Sequence, residues 1–150
     1  MNNETKLTAA DLALYLGCEC QALTRTGTID IVNSRGFCIV SDGVYSWSEP
    51  IKNIKPILRP LSDMTEDEAL FCEKELFNDG EIPTSQQAEV AKIAIRDHFG
   101  TPKLASWRIG LLITRYLLSS HFDLFGWIDA GLAIDKTKAQ QHERRTKPAH

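Results

Sequence analysis

The stretch "EPIKNIKPILRPLSDM", residues 49–64, constrains the fold of this chain more than any other. Its prolines at 50, 56 and 60 each remove a backbone N–H and push the preceding residue towards extended geometry. No long helix passes through such a segment, and it parts two textures. Before it, short β-prone runs alternate with turn residues. After it, apolar residues recur at helical spacing.

In the first half, "TAADLALYL" predicts a helix over Thr8–Leu16. Thr8 is placed as its cap, Asp11 suits the positive helix end, and Gly17 stops it. The runs "CECQALT", "TIDIVN", "FCIVS" and "VYSWS" follow, separated by Gly27, Ser34-Arg35-Gly36 and Asp42-Gly43. Three or four antiparallel strands joined by tight turns are the economical reading.

In the second half, "TEDEALFCEKELF" carries a capping-box pattern, Thr65 with Glu68, and an apolar stripe of Ala69, Cys72 and Leu76. "TSQQAEVAKIAIRDHFG" repeats the device with Thr84, Gln87 and a terminating Gly100. Thr101-Pro102 opens a third helix, with Leu104, Trp107, Leu111 and Leu118 marking it as the core helix. A short helix, capped by Asp123 and ended by Gly131, closes the series. The expected fold is therefore α+β: an N-terminal helix and a small antiparallel sheet of 3–4 strands, followed by a bundle of 3–4 helices. Phe99, Trp107, Phe122, Phe125 and Trp127 are expected to be buried, joining helices to sheet. The domain reading is one α+β domain over 1–135 and a flexible basic tail over 136–150.

With 150 residues, 43% of them hydrophobic, the chain is long enough for one domain burying roughly 70% of its unfolded surface. The net charge of −3 gives no general attraction to nucleic acid or anionic membrane. Distribution says more. Between Asp63 and Glu81 stand eight acids against Lys74 alone, whereas five cations oppose Glu143 from Lys136 onward. "MNNETKLTAA" shows no secretory leader. "LASWRIGLLITRYLL" is too short to span a bilayer and is broken by Arg108 and Arg115. The expectation is a cytoplasmic protein without membrane contact, whose Cys18, Cys20, Cys38 and Cys72 are reduced thiols.

Three blocks, "KLTAADLALYLG", "IKPILRPLSDMT" and "HFDLFGWIDAGLAID", resemble in that order a family of small uncharacterised proteins encoded by phages, prophages and related mobile elements of gut anaerobes. Its members carry blocks like "LxxxDIAPYLPYxL", "KPILRPLSDLT" and "HFDVFGLIEKGLAIDI". This chain departs from them at Gly17-Cys18, at Leu124 and over Trp127–Ala130. The resemblance implies a phage-related origin and a setting in the bacterial host cytoplasm. It implies no activity and no site residue.

Five constellations are candidates for chemistry. His121 and Asp123 suit a base and its orienting carboxylate or metal ligand in a hydrolase or nuclease; equally, Asp123 suits a helix cap with His121 satisfied by a carbonyl. Cys18, Cys20 and Cys38 offer thiolates for zinc, against the plainer reading of small buried hydrophobes. The acidic helix, with Glu66, Asp67, Glu68, Glu73 and Glu75, is either a solvated face or a surface for a protein partner. The tail cations Lys136, Lys138, Arg144, Arg145 and Lys147 would add salt-dependent attraction to nucleic acid. Arg108 and Arg115, seven residues apart, would clamp an anion or bridge to the acidic helix. No phosphate loop, His-Glu-x-x-His or Gly-x-Ser-x-Gly occurs. The expected function is that of a non-enzymatic phage accessory protein, without cofactor or metal, binding another protein. The alternatives are a nucleic-acid-associated protein using the tail, and a small hydrolase or nuclease using His121 and Asp123.

Overall fold

The computed structural model describes residues 6–77, 85–100 and 111–146. The chain is α+β, but the expected plan of an antiparallel sheet of 3–4 strands followed only by helices is overturned. The sheet has six strands in the order β4-β3-β2-β1-β5-β6 and is mixed. Helices stand before, within and after it along the chain.

Helix α1 (Ala9–Ala13) opens the described chain. Thr8 Oγ1 accepts the Asp11 N–H at 3.3 Å while the Asp11 carboxylate accepts the Thr8 N–H at 2.7 Å, a reciprocal capping box. Strands β1 (Glu19–Gln21), β2 (Thr26–Val32), β3 (Phe37–Ser41) and β4 (Ser46–Pro50) then run antiparallel. Ser34-Arg35-Gly36 and Asp42-Gly43 turn the chain as expected, whereas Gly27, expected as a turn, lies inside β2 opposite Cys20, and residues 22–25 make that turn. Leu12 of α1 packs with Cys20, Ile29, Cys38 and Val40 from the inner sheet face.

Two strands escape the sequence reading. β5 (Lys55–Leu58) lies in the proline-rich segment and pairs antiparallel with β1. Proline argues against an internal strand because it cannot donate to a ladder. Here β6 (Ile134–Asp135) joins β5, in parallel, only from Ile57 onward, so on that side Pro56 lies off the ladder. β6 itself has two residues, too few for any periodicity to register.

The contacts group the chain into two compact units, residues 1–58 with 127–150, and residues 59–126. The first is the sheet unit. Its later segment carries α5 (Lys136–Thr146) over most of the stretch read as a tail. Trp127 is buried there and meets Tyr15 edge-on, with ring centroids 5.2 Å apart.

The second unit is helical: α2 (Glu66–Phe77), α3 (Ser85–Gly100) and α4 (Leu111–Ser119). Its core gathers Met64, Ala69, Cys72, Ala88, Ile95, Ile113, Leu117, Phe122 and Leu124. In α4 the inward residues are Ile113 and Leu117, while Leu118 is half-buried. Leu104, Trp107 and Arg108 lie outside the described residues, as do the side chains of Phe99 and Leu111. Phe125, expected in the core, is half exposed. The short helix expected from Asp123 to Gly131 is a succession of turns instead, with Gly126 and Gly131 at positive φ. Two left-handed residues in so short a segment prevent a helix from propagating. No helix among the described residues is long and apolar enough to cross a membrane.

Candidate functional site

The acidic helix resolves into charges that are engaged and charges that are open. Glu68 is engaged. Its carboxylate takes both arms of the Arg59 guanidinium, Nη1 to Oε1 at 2.7 Å and Nη2 to Oε2 at 2.9 Å. It also accepts the Thr65 N–H at 2.9 Å, completing the capping box. Arg59 further reaches Asp63 at 3.4 Å and lies 4.2 Å over the Phe122 ring. The two side chains of the central pair are only 19% and 18% exposed. Hydrogen bonds from Arg59 hold the Glu68 carboxyl below its ordinary titration range, helped by Thr65 and opposed by partial burial. Glu68 is therefore a fastener inside its unit and not part of an open binding face. Glu66 and Asp67 are exposed, and Glu66 accepts a hydrogen bond from the Ser85 hydroxyl at 2.6 Å. Glu73 and Glu75 lie in α2, with side chains outside the described residues.

Arg59 was not among the sequence candidates. Its signal is an arginine in an otherwise apolar "PILRPL", four residues before Asp63 and nine before Glu68. It also ties two of the family-like blocks together. Its N–H donates to the His121 carbonyl at 2.8 Å, and its own carbonyl accepts the Asp123 N–H at 2.8 Å. Arg59 thus reaches α2, while Arg115 is exposed on α4.

His121 and Asp123 sit on either side of Phe122 in that bridge. Asp123 is almost fully buried, and its Oδ1 accepts the Phe125 N–H at 3.3 Å, so it closes a turn where a helix cap was expected. His121 adopts φ +61°, the left-handed region that few non-glycine residues enter.

The three cysteines named for zinc are all buried in the sheet unit. Cys18 donates its thiol to the Ile57 carbonyl at 3.2 Å. Burial pushes the thiols of Cys18 and Cys20 up to about 12, far from the thiolate form that binds metal. Among the described residues no three His, Cys, Asp or Glu side chains form a metal-binding group.

The basic candidates of α5 divide similarly. Lys136 stands 3.7 Å from the Glu19 carboxylate, whereas Lys138, Arg144 and Arg145 are exposed. Lys147 lies outside the described residues.

A surface that the sequence reading missed stands at one end of the sheet. The β1–β2 and β3–β4 turns are neighbours there, because Gln21 pairs with Thr26, Thr28 with Ser41, and Ser41 with Ser46. These turns carry Leu23, Val44 and Tyr45, which are 71%, 79% and 70% exposed. Both turns are braced. Asp42 Oδ1 accepts the N–H groups of Tyr45 and Val44 at 2.8 and 2.9 Å, and these donors hold its carboxyl below the ordinary range. The Ala22 N–H reaches the Arg25 carbonyl at 2.8 Å, and the Arg25 guanidinium stacks 4.4 Å over Trp47. The signal was present as apolar residues inside the turn sequences "ALTR" and "DGVY", where polar residues are the rule.

No protein-family model, curated protein or solved structure matches this chain.

Proposed function

We propose that this is a phage-type accessory protein of the bacterial cytoplasm that works by binding another protein and catalyses no reaction. The observation that carries the reading is the apolar trio Leu23, Val44 and Tyr45, held out on two braced turns beside the Arg25–Trp47 stack. Large apolar groups left in water on adjacent turns mark interaction sites. Tyrosine, tryptophan and arginine are the residues on which interface energy concentrates. Braced turns lose little conformational freedom on association, so more of the contact energy appears as affinity. Glu66 and Asp67, exposed acids of the first turn of α2, are a second contact surface for a basic patch on a partner.

The test is a comparative pull-down from infected or lysogenic cells. The baits are the wild-type chain, the variant Leu23→Ser/Val44→Ser/Tyr45→Ser and the variant Glu66→Gln/Asp67→Asn, each checked for native circular dichroism. Loss of a defined partner from the first variant supports the proposal. A partner list unchanged in both variants refutes it.

A second reading, attachment to nucleic acid, is favoured by one observation. The helical form of Lys136–Thr146 sets the exposed Lys138 and Arg145 two turns apart on one face. Binding to random duplex DNA that weakens steeply with salt, and is lost in Lys138→Gln/Arg144→Gln/Arg145→Gln, would establish it. Salt-insensitive or absent binding would dismiss it.

A further inference from the structure

Within the sheet unit, the start of α1, the β2–β3 turn, the turn after β4 and the Gly131–Leu132 turn line a half-open cavity of about 350 Å³. Its walls include Leu7, Ile54 and Leu132, and its lining also includes Lys6, Lys52 and Lys55. No carboxylate is among its described lining residues. Lys52 and Lys55, both exposed and three residues apart after β4, thus stand at one apolar concavity. Ligand sites have this make-up: mostly apolar walls with a few polar groups that fix orientation.

We propose that this cavity is a binding site for a small amphipathic anion, a carboxylate carried on an apolar chain. The apolar body displaces water from Leu7, Ile54 and Leu132, and the carboxylate meets the lysines at the mouth. Size admits the ligand: 350 Å³ is the volume of ~12 waters at ~30 Å³ each, ample for a medium-chain acid. Charge limits it. A neutral or cationic head group on the same chain forgoes or opposes Lys52 and Lys55.

The inference is independent of any protein partner and is tested on the full chain alone. Octanoate, octanol and octylammonium are titrated by calorimetry, and the bound site is mapped by methyl chemical-shift changes. The expected result is one octanoate per chain, shifting the methyls of Leu7, Ile54 and Leu132, with octanol and octylammonium at least about tenfold weaker. Lys52→Gln/Lys55→Gln, which changes two exposed side chains, should weaken octanoate about tenfold and leave octanol unchanged, a tenfold change being about 1.4 kcal/mol. The proposal fails if octanoate binds no tighter than octanol, if the double variant binds octanoate as well as wild type, or if the shifted methyls lie elsewhere.

Discussion

Replacing Arg59 with alanine should destabilise the helical unit by about 3 kcal/mol. Exposed ion pairs contribute at most about 1 kcal/mol, and breaking a fully buried pair costs about 3–5 kcal/mol. With both side chains less than one-fifth exposed, the Arg59–Glu68 pair sits nearer the second limit. A bidentate geometry and the stack on Phe122, worth about 0.5–1 kcal/mol, raise the figure within that range. Removing Arg59 also leaves the Glu68 carboxylate partly buried without its cation, which accounts for much of the loss. Glu68→Gln, which keeps its place in the capping box, should cost about 1–2 kcal/mol, and the exposed Glu66→Gln less than about 0.5 kcal/mol.

The assay is urea unfolding followed at 222 nm, since α2, α3 and α4 hold most of the helix among the described residues. A double-mutant cycle with Glu68→Gln isolates the pair, with an expected coupling of about 1–2 kcal/mol. pH supplies an independent check. Because Arg59 depresses the Glu68 carboxyl in the folded state, the stabilisation is complete above the ordinary glutamate range. It is lost as pH falls through the lower, folded value. The gap between wild type and Arg59→Ala should therefore narrow below about pH 4.5. If Arg59→Ala costs no more than Glu66→Gln, or if the gap is flat with pH, the pair is not the fastener described.

Other outcomes follow from single positions. Gly27→Ala would place a methyl 2.7 Å from Val40 Cγ1 and 2.8 Å from the Ser41 carbonyl oxygen, across the β2–β3 ladder. The carbonyl cannot rotate away, so a loss of about 2–3 kcal/mol in chemical denaturation is expected. Cys18 and Cys20 should resist iodoacetamide at pH 8 until urea opens the sheet unit. Their raised folded values give stability that is fully present below the ordinary thiol value of 9.0 and declines above it, by on the order of 1 kcal/mol per thiol by pH 10. Cys20→Ala should flatten that alkaline decline, and an unchanged slope would contradict the burial argument. Thr8→Ala should cost about 1 kcal/mol, read as a lower thermal midpoint, because it breaks one half of the α1 capping box.

Where local chemistry settles an element, the sequence was sufficient. Thr8 and Thr65 with Glu68 cap the helices they were expected to cap, and Ser34-Arg35-Gly36 and Asp42-Gly43 turn the strands, but Gly27 sits within β2 and turns nothing. Elements specified by distant partners were not legible. β5 is a strand because β1 and β6 flank it, and nothing in "KPIL" overrides the proline signal without them. Asp123 looks like a cap because Asp commonly is one. The left-handed turns at Gly126 and Gly131 deny it a helix, and its own N–H is taken by Arg59 from a separate segment. The acidic run shows the same limit: composition reveals eight acids but not that Glu68 is claimed by an arginine from a separate segment. The exposed turn residues were readable in principle. Leu23, Val44 and Tyr45 are apolar in places where solvation favours polar groups.

The late arrival of β6 has a consequence for biosynthesis. β5 is complete at Leu58, yet its parallel neighbour is made only after the whole helical unit. At ~5–20 residues per second the delay is roughly 4–15 s. Throughout that interval the nascent sheet ends in an open edge, the kind that templates aggregation between chains. The first two residues of β5 are Lys55 and Pro56. A lysine and a proline are the two devices that most simply keep a sheet edge from recruiting a foreign strand. The proline that hides β5 from a reader of the sequence thus guards it while the ribosome finishes the chain.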